Sequence, residues 1–315
     1  MQPFDRSRLT ILPLGQRVHD LDRSVVGDLQ KRNPVPPRMA QFARYLRDAR
    51  DNGRARTMMM GAHVIRSGVQ RYLFDLMERG YVSALAVNGA CLIHDFELAL
   101  IGATTESVAR YVSDGQFGLW EETGRINDIA AEAAKNDEGL GSTAGRVIAE
   151  GDFPHKDVSV FARAYELGIP VTVHVGIGYD IVCEHPNYDG AAWGKSSYAD
   201  FLLFAGQLET LHGGTLMSFG SAVMAPEIFL KALAMARNTA RAEGGTITDF
   251  STLVCDLVDL PDDFSREAER GTTGYYFRPW KTLLVRTVAD GGRSFYVRGT
   301  HAETIPALWT ALSGT

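Results

Sequence analysis

Cysteine is scarce in this chain: Cys91, Cys183 and Cys255 are the only three in 315 residues. An odd number without a CxxC pair excludes a fully paired disulfide framework and zinc-ribbon spacing, and predicts three reduced, mostly buried thiols. An HExxH helix, a GxxxxGK[ST] phosphate loop and a GxGxxG fingerprint are also missing. Their absence removes zincin and P-loop chemistry and the common nicotinamide dehydrogenases, and no metal site is expected. No stretch approaches the roughly eighteen consecutive apolar residues a membrane span needs. The start of the chain carries Asp5, Arg6 and Arg8 ahead of a short apolar stretch, so no secretory signal is read there. A cytoplasmic location is the default expectation, with no membrane partner. Basic charge is in deficit, 32 Lys and Arg against 38 Asp and Glu for a net charge of −6. That balance offers no footprint for a phosphate backbone, so nucleic acid is not expected as a partner. It is compatible with a cationic substrate.

What is present is alternation. Residues 69–79 place Leu73, Leu76 and Met77 on one helical face and stop at Gly80; residues 82–87 form a short apolar run suited to a buried parallel strand. At Asn88-Gly89-Ala90 this strand is expected to run out into a loop. The pattern returns downstream, with a helix over 158–167, a stop at Gly168 and a strand over 171–175. A helix over 198–211 and a run over 215–219 follow, then a helix over 225–237 with Pro226 near its start, where a missing amide proton costs least. Residues 251–257, 282–288 and 295–297 are further strand candidates, and a final helix holds Leu308 and Leu312. Strand, glycine-bearing loop and helix in repetition predict an α/β fold, a Rossmann-like parallel sheet with helices on both faces. Residues 1–45, with Pro13, Pro34, Pro36 and Pro37, read as an N-terminal arm with short helices. Residues 46–315 read as a single α/β dinucleotide-binding catalytic domain. The segment 105–155 is less regular and glycine-rich, as coverings of active sites and ordinary surface loops both are.

Open parallel sheets bind ligands beyond the C-terminal ends of their strands, where helix N-termini present unpaired N–H groups. Four glycine-bearing loops are assigned to that place: 61–68, 88–90, 176–178, and Gly213-Gly214 with Gly220-Ser221. Glycine lets backbone approach a pyrophosphate closely. Ser67, Ser221 and Thr300 add hydroxyl donors.

Residues 61–68 (GAHVIRSG), 85–95 (LAVNGACLIHD), 159–165 (SVFARAY) leading into GIPV at 168–171, and 214–221 (GTLMSFGS) resemble the deoxyhypusine synthase family. The likeness covers most of 55–180 and 210–312, and it rests on the order and spacing of these stretches. It implies a Rossmann-like core, a homo-oligomer (tetramer or dimer) and NAD as cofactor. Nicotinamide dinucleotide contacts would fall on Ala62, His63 and Ser67, on Asn88, Gly89 and Ala90, near His94 and Asp95, and on Arg298, Gly299 and Thr300, with Gly220 and Ser221 added by the glycine loops. The implied reaction removes hydride from a carbon attached to nitrogen in a polyamine, and a lysine can hold the resulting imine fragment.

The chain departs from the family where catalysis is concentrated. A histidine-bearing stretch is replaced by Ala225-Pro226-Glu227, so Glu227 stands where a base is expected. The family's Trp-Gly-Lys is approximated by Trp280-Lys281, with Lys281 as the Schiff-base candidate and Trp280 packing the substrate; a literal Trp193-Gly194-Lys195 lies upstream. Asp180 resembles a substrate aspartate of the family and follows a predicted strand end. Glu184 and His185 are further substrate candidates, and Glu121 and Glu122 beside Trp120 either cap the site or are solvated. His94, beside Asp95, is either a general base or a hydrogen-bonded structural histidine. The resulting expectation is an NAD-dependent transferase acting on a polyamine-like amine through an imine. Homospermidine synthase-like or cyclodeaminase chemistry and a non-catalytic NAD-binding protein are the alternatives.

Overall fold

The computed structural model describes residues 2–313. Apolar runs buried on both faces become the strands of a six-stranded parallel sheet: β2 (Arg56–Met60), β3 (Ala84–Asn88), β5 (Val171–His174), β6 (Thr215–Phe219), β7 (Ser251–Asp256) and β8 (Arg293–Arg298). Two short strands, β1 (His19–Asp22) and β4 (Ala103–Glu106), pair antiparallel apart from it. The large sheet has the order β5-β3-β2-β6-β7-β8. Numbered among themselves, its strands run 3-2-1-4-5-6, the doubly wound Rossmann order, with the reversal between β2 and β6. The fold is α/β with helices on both faces of a parallel sheet.

Among the described residues, twelve α-helices connect the strands, from α1 (Pro37–Asp51), α2 (Ala62–Arg66), α3 (Gln70–Glu78), α4 (Gly89–Ile101) and α5 (Val108–Ser113) through α6 (Arg125–Lys135), α7 (Leu140–Glu150) and α8 (Val160–Glu166) to α9 (Gly190–Gln207), α10 (Met224–Ala242), α11 (Thr273–Tyr276) and α12 (His301–Leu312). Alternation along the strands divides the core. Met58 and Met60 join one apolar cluster with Leu85, Val87 and Met217, while Met59 joins the other with Ala86, Leu216 and Val254. The first lies against α1, α3, α4 and α12, and the second against α9 and α10. Each helix that positions the ligand edge has a local start signal. The Asn88 side chain accepts from the Cys91 amide at the head of α4, and Thr300 and Glu303 close a capping box on α12.

Several expectations need correction. Residues 282–288 are not a strand but part of a π-helical turn (Trp280–Val285) and a 3-10 turn (Arg286–Val288). Leu283 and Leu284 are buried there on the second core face, and a short apolar run does not separate a buried helix from a strand. The irregular reading of 105–155 gives way to α5, α6 and α7. The expected loop at 88–90 is already the first turn of α4. Gly213-Gly214 precede β6 and lie at the N-terminal edge of the sheet, away from the ligand edge. The helix α1 runs across the expected 45/46 boundary. Among the described residues, no helix is long and apolar enough to cross a membrane.

Candidate functional site

The ligand edge follows from the sheet topology. At the reversal of strand order, the Gly61 amide donates to the Phe219 carbonyl at 3.0 Å. A Cβ on Gly61 would collide with the Gly220 carbonyl, and one on Gly220 (φ +61°) with the His301 ring, so both positions require glycine. Beside this point a cavity of about 620 Å³ opens above β3, β5 and β6, bordered by Asn88, Gly89, His174, Gly176, Ser221 and Glu227. A smaller cavity of about 270 Å³ adjoins it under α4 and β4. Tyr179 and Asp180 border both.

Asp180 is the hinge of this arrangement. Its carboxylate packs on Gly89 so closely that a Cβ there would collide with it, which brings the acid to the first residue of α4. Burial raises its pKa from 3.8 to about 6, and none of the described residues pairs with it or donates to it. A desolvated carboxylate without a partner is unfavourable unless something cationic or hydrogen-bonding completes it.

His94 projects from the second turn of α4 into the smaller cavity. Its Nδ1 lies 2.7 Å from Thr104 Oγ1, whose hydroxyl donates to Glu97 Oε2 at 2.7 Å. The threonine proton is therefore committed to Glu97, so the threonine oxygen accepts and Nδ1 carries the imidazole proton. Burial drives His94 down to about 4, although Glu97 pulls the other way, and the ring is neutral at physiological pH. Its Nε2 is left as a bare acceptor without a partner among the described residues. Glu97 is held in turn by Arg17, whose two terminal nitrogens reach the carboxylate at 2.9 and 2.7 Å, and by Thr123 Oγ1 at 2.7 Å. Burial opposes its charge, but the hydrogen bonds from Arg17 and the two threonines outweigh it and lower its pKa. The arm thus supplies a residue that anchors the histidine's orientation. His174, at the end of β5, is also driven down to about 4 by burial; its Nε2 lies 3.0 Å from Thr172 Oγ1 and its ring borders the larger cavity.

Of the charged groups around the smaller cavity, Arg17 and Glu97 satisfy each other, and Glu106 accepts from the Gly118 amide at 3.0 Å and Trp120 Nε1 at 2.8 Å. Arg66 and Asp180 remain without a counter-charge among the described residues. Thr105 borders the same cavity with φ 68°, a left-handed conformation costly for a β-branched residue, and its buried hydroxyl has no partner. Strain and an unsatisfied hydroxyl at one cavity wall are features of functional sites.

The other expected site residues are distributed as follows. Gly89, Asn88, Gly220 and Ser221 border the larger cavity and Ala90 the smaller. Ser221 Oγ also accepts from the Ala225 amide at 3.1 Å. Ala62 is buried and His63 exposed at the start of α2, and Ser67 Oγ donates to the His63 carbonyl at 2.6 Å. Asp95 faces away from both cavities: fully buried, it accepts from Ser159 Oγ and from the Val160 and Phe161 amides at the head of α8, a capping role in place of the expected cofactor contact. Arg298 pairs with Asp259 at 3.0 Å, and Gly299 and Thr300 lead into α12, beyond the end of β8. Glu184 sits behind Gly118, with a pKa raised by burial and by Glu106, while His185 is buried with Nε2 2.9 Å from the Gly118 carbonyl. Neither borders a cavity. Glu122 accepts from the Leu14 amide at 2.6 Å, and Glu121 is exposed.

Glu227 is on the rim of the larger cavity but is engaged by Lys231 and Arg278, which lower its pKa and make it a poor base. Trp280 and Lys281 lie on the second core face. Trp280 Nε1 donates to the Phe264 carbonyl at 3.1 Å, and Lys281 Nζ sits 3.8 Å from the centre of the Tyr275 ring. The π-helical turn carries both away from the cavity linings. Lys195 is exposed and paired with Asp137 at 2.6 Å. Sequence reasoning missed Arg17, Arg66, Thr104, Thr105 and His174. Of these, only His174 carried a signal, as a histidine closing an apolar strand.

Among solved structures, the chain is similar to unliganded AgrE (TM-score 0.51, 17% identity, covering 87% of this chain and 32% of that one). It is also similar to a cysteine-to-alanine variant of AgrE in complex with L-arginine (TM-score 0.51, 17% identity, 88% and 31%). A third likeness is to apo ArgZ, an arginine dihydrolase from the ornithine–ammonia cycle in cyanobacteria (TM-score 0.50, 17% identity, 87% and 32%). The chain spans about a third of the length of these proteins. No family model and no curated protein matches the sequence. At this identity the likeness establishes a shared fold.

Proposed function

We propose that this protein is an NAD-dependent enzyme of carbon–nitrogen chemistry that acts on a small amine at the junction of the two cavities. The observation that carries the reading is the convergence of an unpartnered, desolvated carboxylate, Asp180, and a neutral imidazole, His94, on one small cavity. Asp180 would receive the substrate ammonium, replacing its hydration with a charge-assisted contact. His94 Nε2, too weak a base at about 4 to deprotonate an ammonium, would accept a hydrogen bond from the substrate nitrogen and hold the neutral amine, the form from which the carbon beside it can lose hydride. Thr104, Glu97 and Arg17 keep that nitrogen unprotonated. Ile93, Val108, Phe117 and Ile181 would give the reacting carbon an apolar wall.

The larger cavity suits a dinucleotide in size and position. Gly61 and Gly220 pack backbone to backbone at the reversal point beside this cavity, with no room for a side chain at either position. Asn88, Gly89, Gly176, Gly220 and Ser221 would hold the group. When bound, NAD supplies a hydride acceptor. We further propose a homo-oligomer, and a single catalytic α/β unit in which Arg17 of the arm completes the histidine relay. A covalent route through Lys281 is left out of this reading, because that side chain is packed on Tyr275. Transfer to a second amine and cyclisation or release of the imine are separated by product masses.

The test is stopped-flow absorbance of the reduced nicotinamide after mixing protein, NAD and a panel of primary amines. An amine-dependent signal in the parent that is lost in His94→Gln supports the reading. Absence of both NAD binding heat and any signal across the panel would refute it.

A further inference from the structure

The smaller cavity carries more than an amine site. Five charged side chains border it, and three are internally satisfied: Arg17 with Glu97, and Glu106 with Trp120 and the Gly118 amide. The two left over have opposite signs. Arg66 enters no ion pair with any described carboxylate, its Nε is buried without a partner, and its one side-chain hydrogen bond among the described residues is Nη1 to His63 Nε2 at 3.3 Å. A guanidinium offers five donors in a fixed fork that matches a carboxylate. Asp180 is equally unaccompanied, and the two are too far apart to form an ion pair with each other. An unpaired cation and an unpaired anion on the walls of one small cavity, whose other charges are satisfied among themselves, are complementary to a zwitterion.

We infer that this cavity binds an α-amino acid, with Arg66 holding its carboxylate and Asp180 its ammonium. The inference rests on the amine reading above and narrows it. At about 270 Å³ the cavity is smaller than the roughly 300–1,000 Å³ of sites for drug-sized ligands. Ile93, Val108, Phe117 and Ile181 supply an apolar wall for an aliphatic side chain. Arg66 also works against a polyamine, whose second ammonium would meet a guanidinium where it needs a carboxylate. The arrangement places the substrate nitrogen at Asp180, on the cavity that His94 also faces, and so makes the α-carbon the reacting carbon.

Calorimetry on the full chain with NAD present tests this with matched ligands: L-norvaline, L-lysine and L-glutamate, each beside its decarboxylated amine (butylamine, cadaverine and 4-aminobutyrate), with pentanoate as the deaminated control. In at least one series the amino acid should bind about tenfold or more tighter than its amine, the value of one charge-assisted contact. Pentanoate should bind more weakly than norvaline by a similar factor. Arg66→Gln should erase the preference for the amino acid while leaving butylamine affinity within about twofold. Arg66→Lys, which keeps the charge but not the fork, should retain part of it, and both variants are checked for parental circular dichroism. If amines bind as tightly as amino acids in every series, or if Arg66→Gln leaves the preference intact, the inference is overturned and the amine reading stands. If neither amino acids nor amines bind, both fail together.

Discussion

Replacing Asp180 by asparagine sets a gain in stability against a loss of binding. Burial acts alone on this carboxyl and raises it from 3.8 to about 6. At about 1.36 kcal/mol per pKa unit, ionising it in the folded protein is unfavourable by at most about 3 kcal/mol. The sign follows from linkage: a raised carboxyl contributes stability through its neutral form, fully present below the unfolded value and lost as pH rises through the folded one. Asparagine has nearly the same shape and is neutral at every pH. Asp180→Asn should therefore raise the unfolding free energy by up to about 3 kcal/mol near pH 8, by roughly half of that near pH 5, and by almost nothing near pH 3. Urea unfolding at the three pH values measures this. The same variant should lose about tenfold or more in amine affinity, because the charge-assisted contact is gone. A variant less stable than the parent near pH 8, or a gain independent of pH, would show that Asp180 is solvated or paired and would remove the reasoning behind the site.

The remaining predictions concern the groups around that carboxylate. Thr104→Val breaks the link between His94 and Glu97, so kcat should fall by about tenfold to hundredfold with substrate affinity nearly unchanged; histidine ring nitrogen spectra should show loss of the Nδ1-protonated form. Arg17→Ala leaves Glu97 charged and buried, and should cost about 3–5 kcal/mol in urea unfolding, with partial recovery in the double variant carrying Glu97→Gln. Thr105→Gly relieves a left-handed conformation and should gain about 1 kcal/mol in stability while weakening amine binding, a trade that parallel thermal and calorimetric titrations would detect.

The parallel sheet was legible because its strands are buried on both faces. Runs such as Leu85-Ala86-Val87 and Val171-Thr172-Val173 admit little else, and glycines punctuate them. The same lack of alternation misled the reading at residues 282–288, where Leu283 and Leu284 serve a buried turn as well as they would a strand. Asp180 could be named because it follows a strand end, and His94 because a strand end precedes it and Asp95 stands beside it. Their partners could not. Arg17, Thr104 and Thr123 meet Glu97 across separations of 80, 7 and 26 residues, and only the folded chain brings the arm against α4. Arg66 lies in the stretch 61–68 read as a cofactor loop, and nothing local indicates that it is left without a counter-charge. Thr105 carried no signal, since a threonine in a short strand gives no local hint of a left-handed backbone.

The claim that the C-terminal edge of the sheet is the working site is tested most directly by hydrogen exchange with and without NAD. Slower exchange is expected, confined to the backbone at 61–68, 88–90, 176–180 and 220–224, with further slowing near Arg66 and Asp180 on addition of an amino acid. Protection limited to the segment around Trp280 and Lys281, or no protection anywhere, would contradict it.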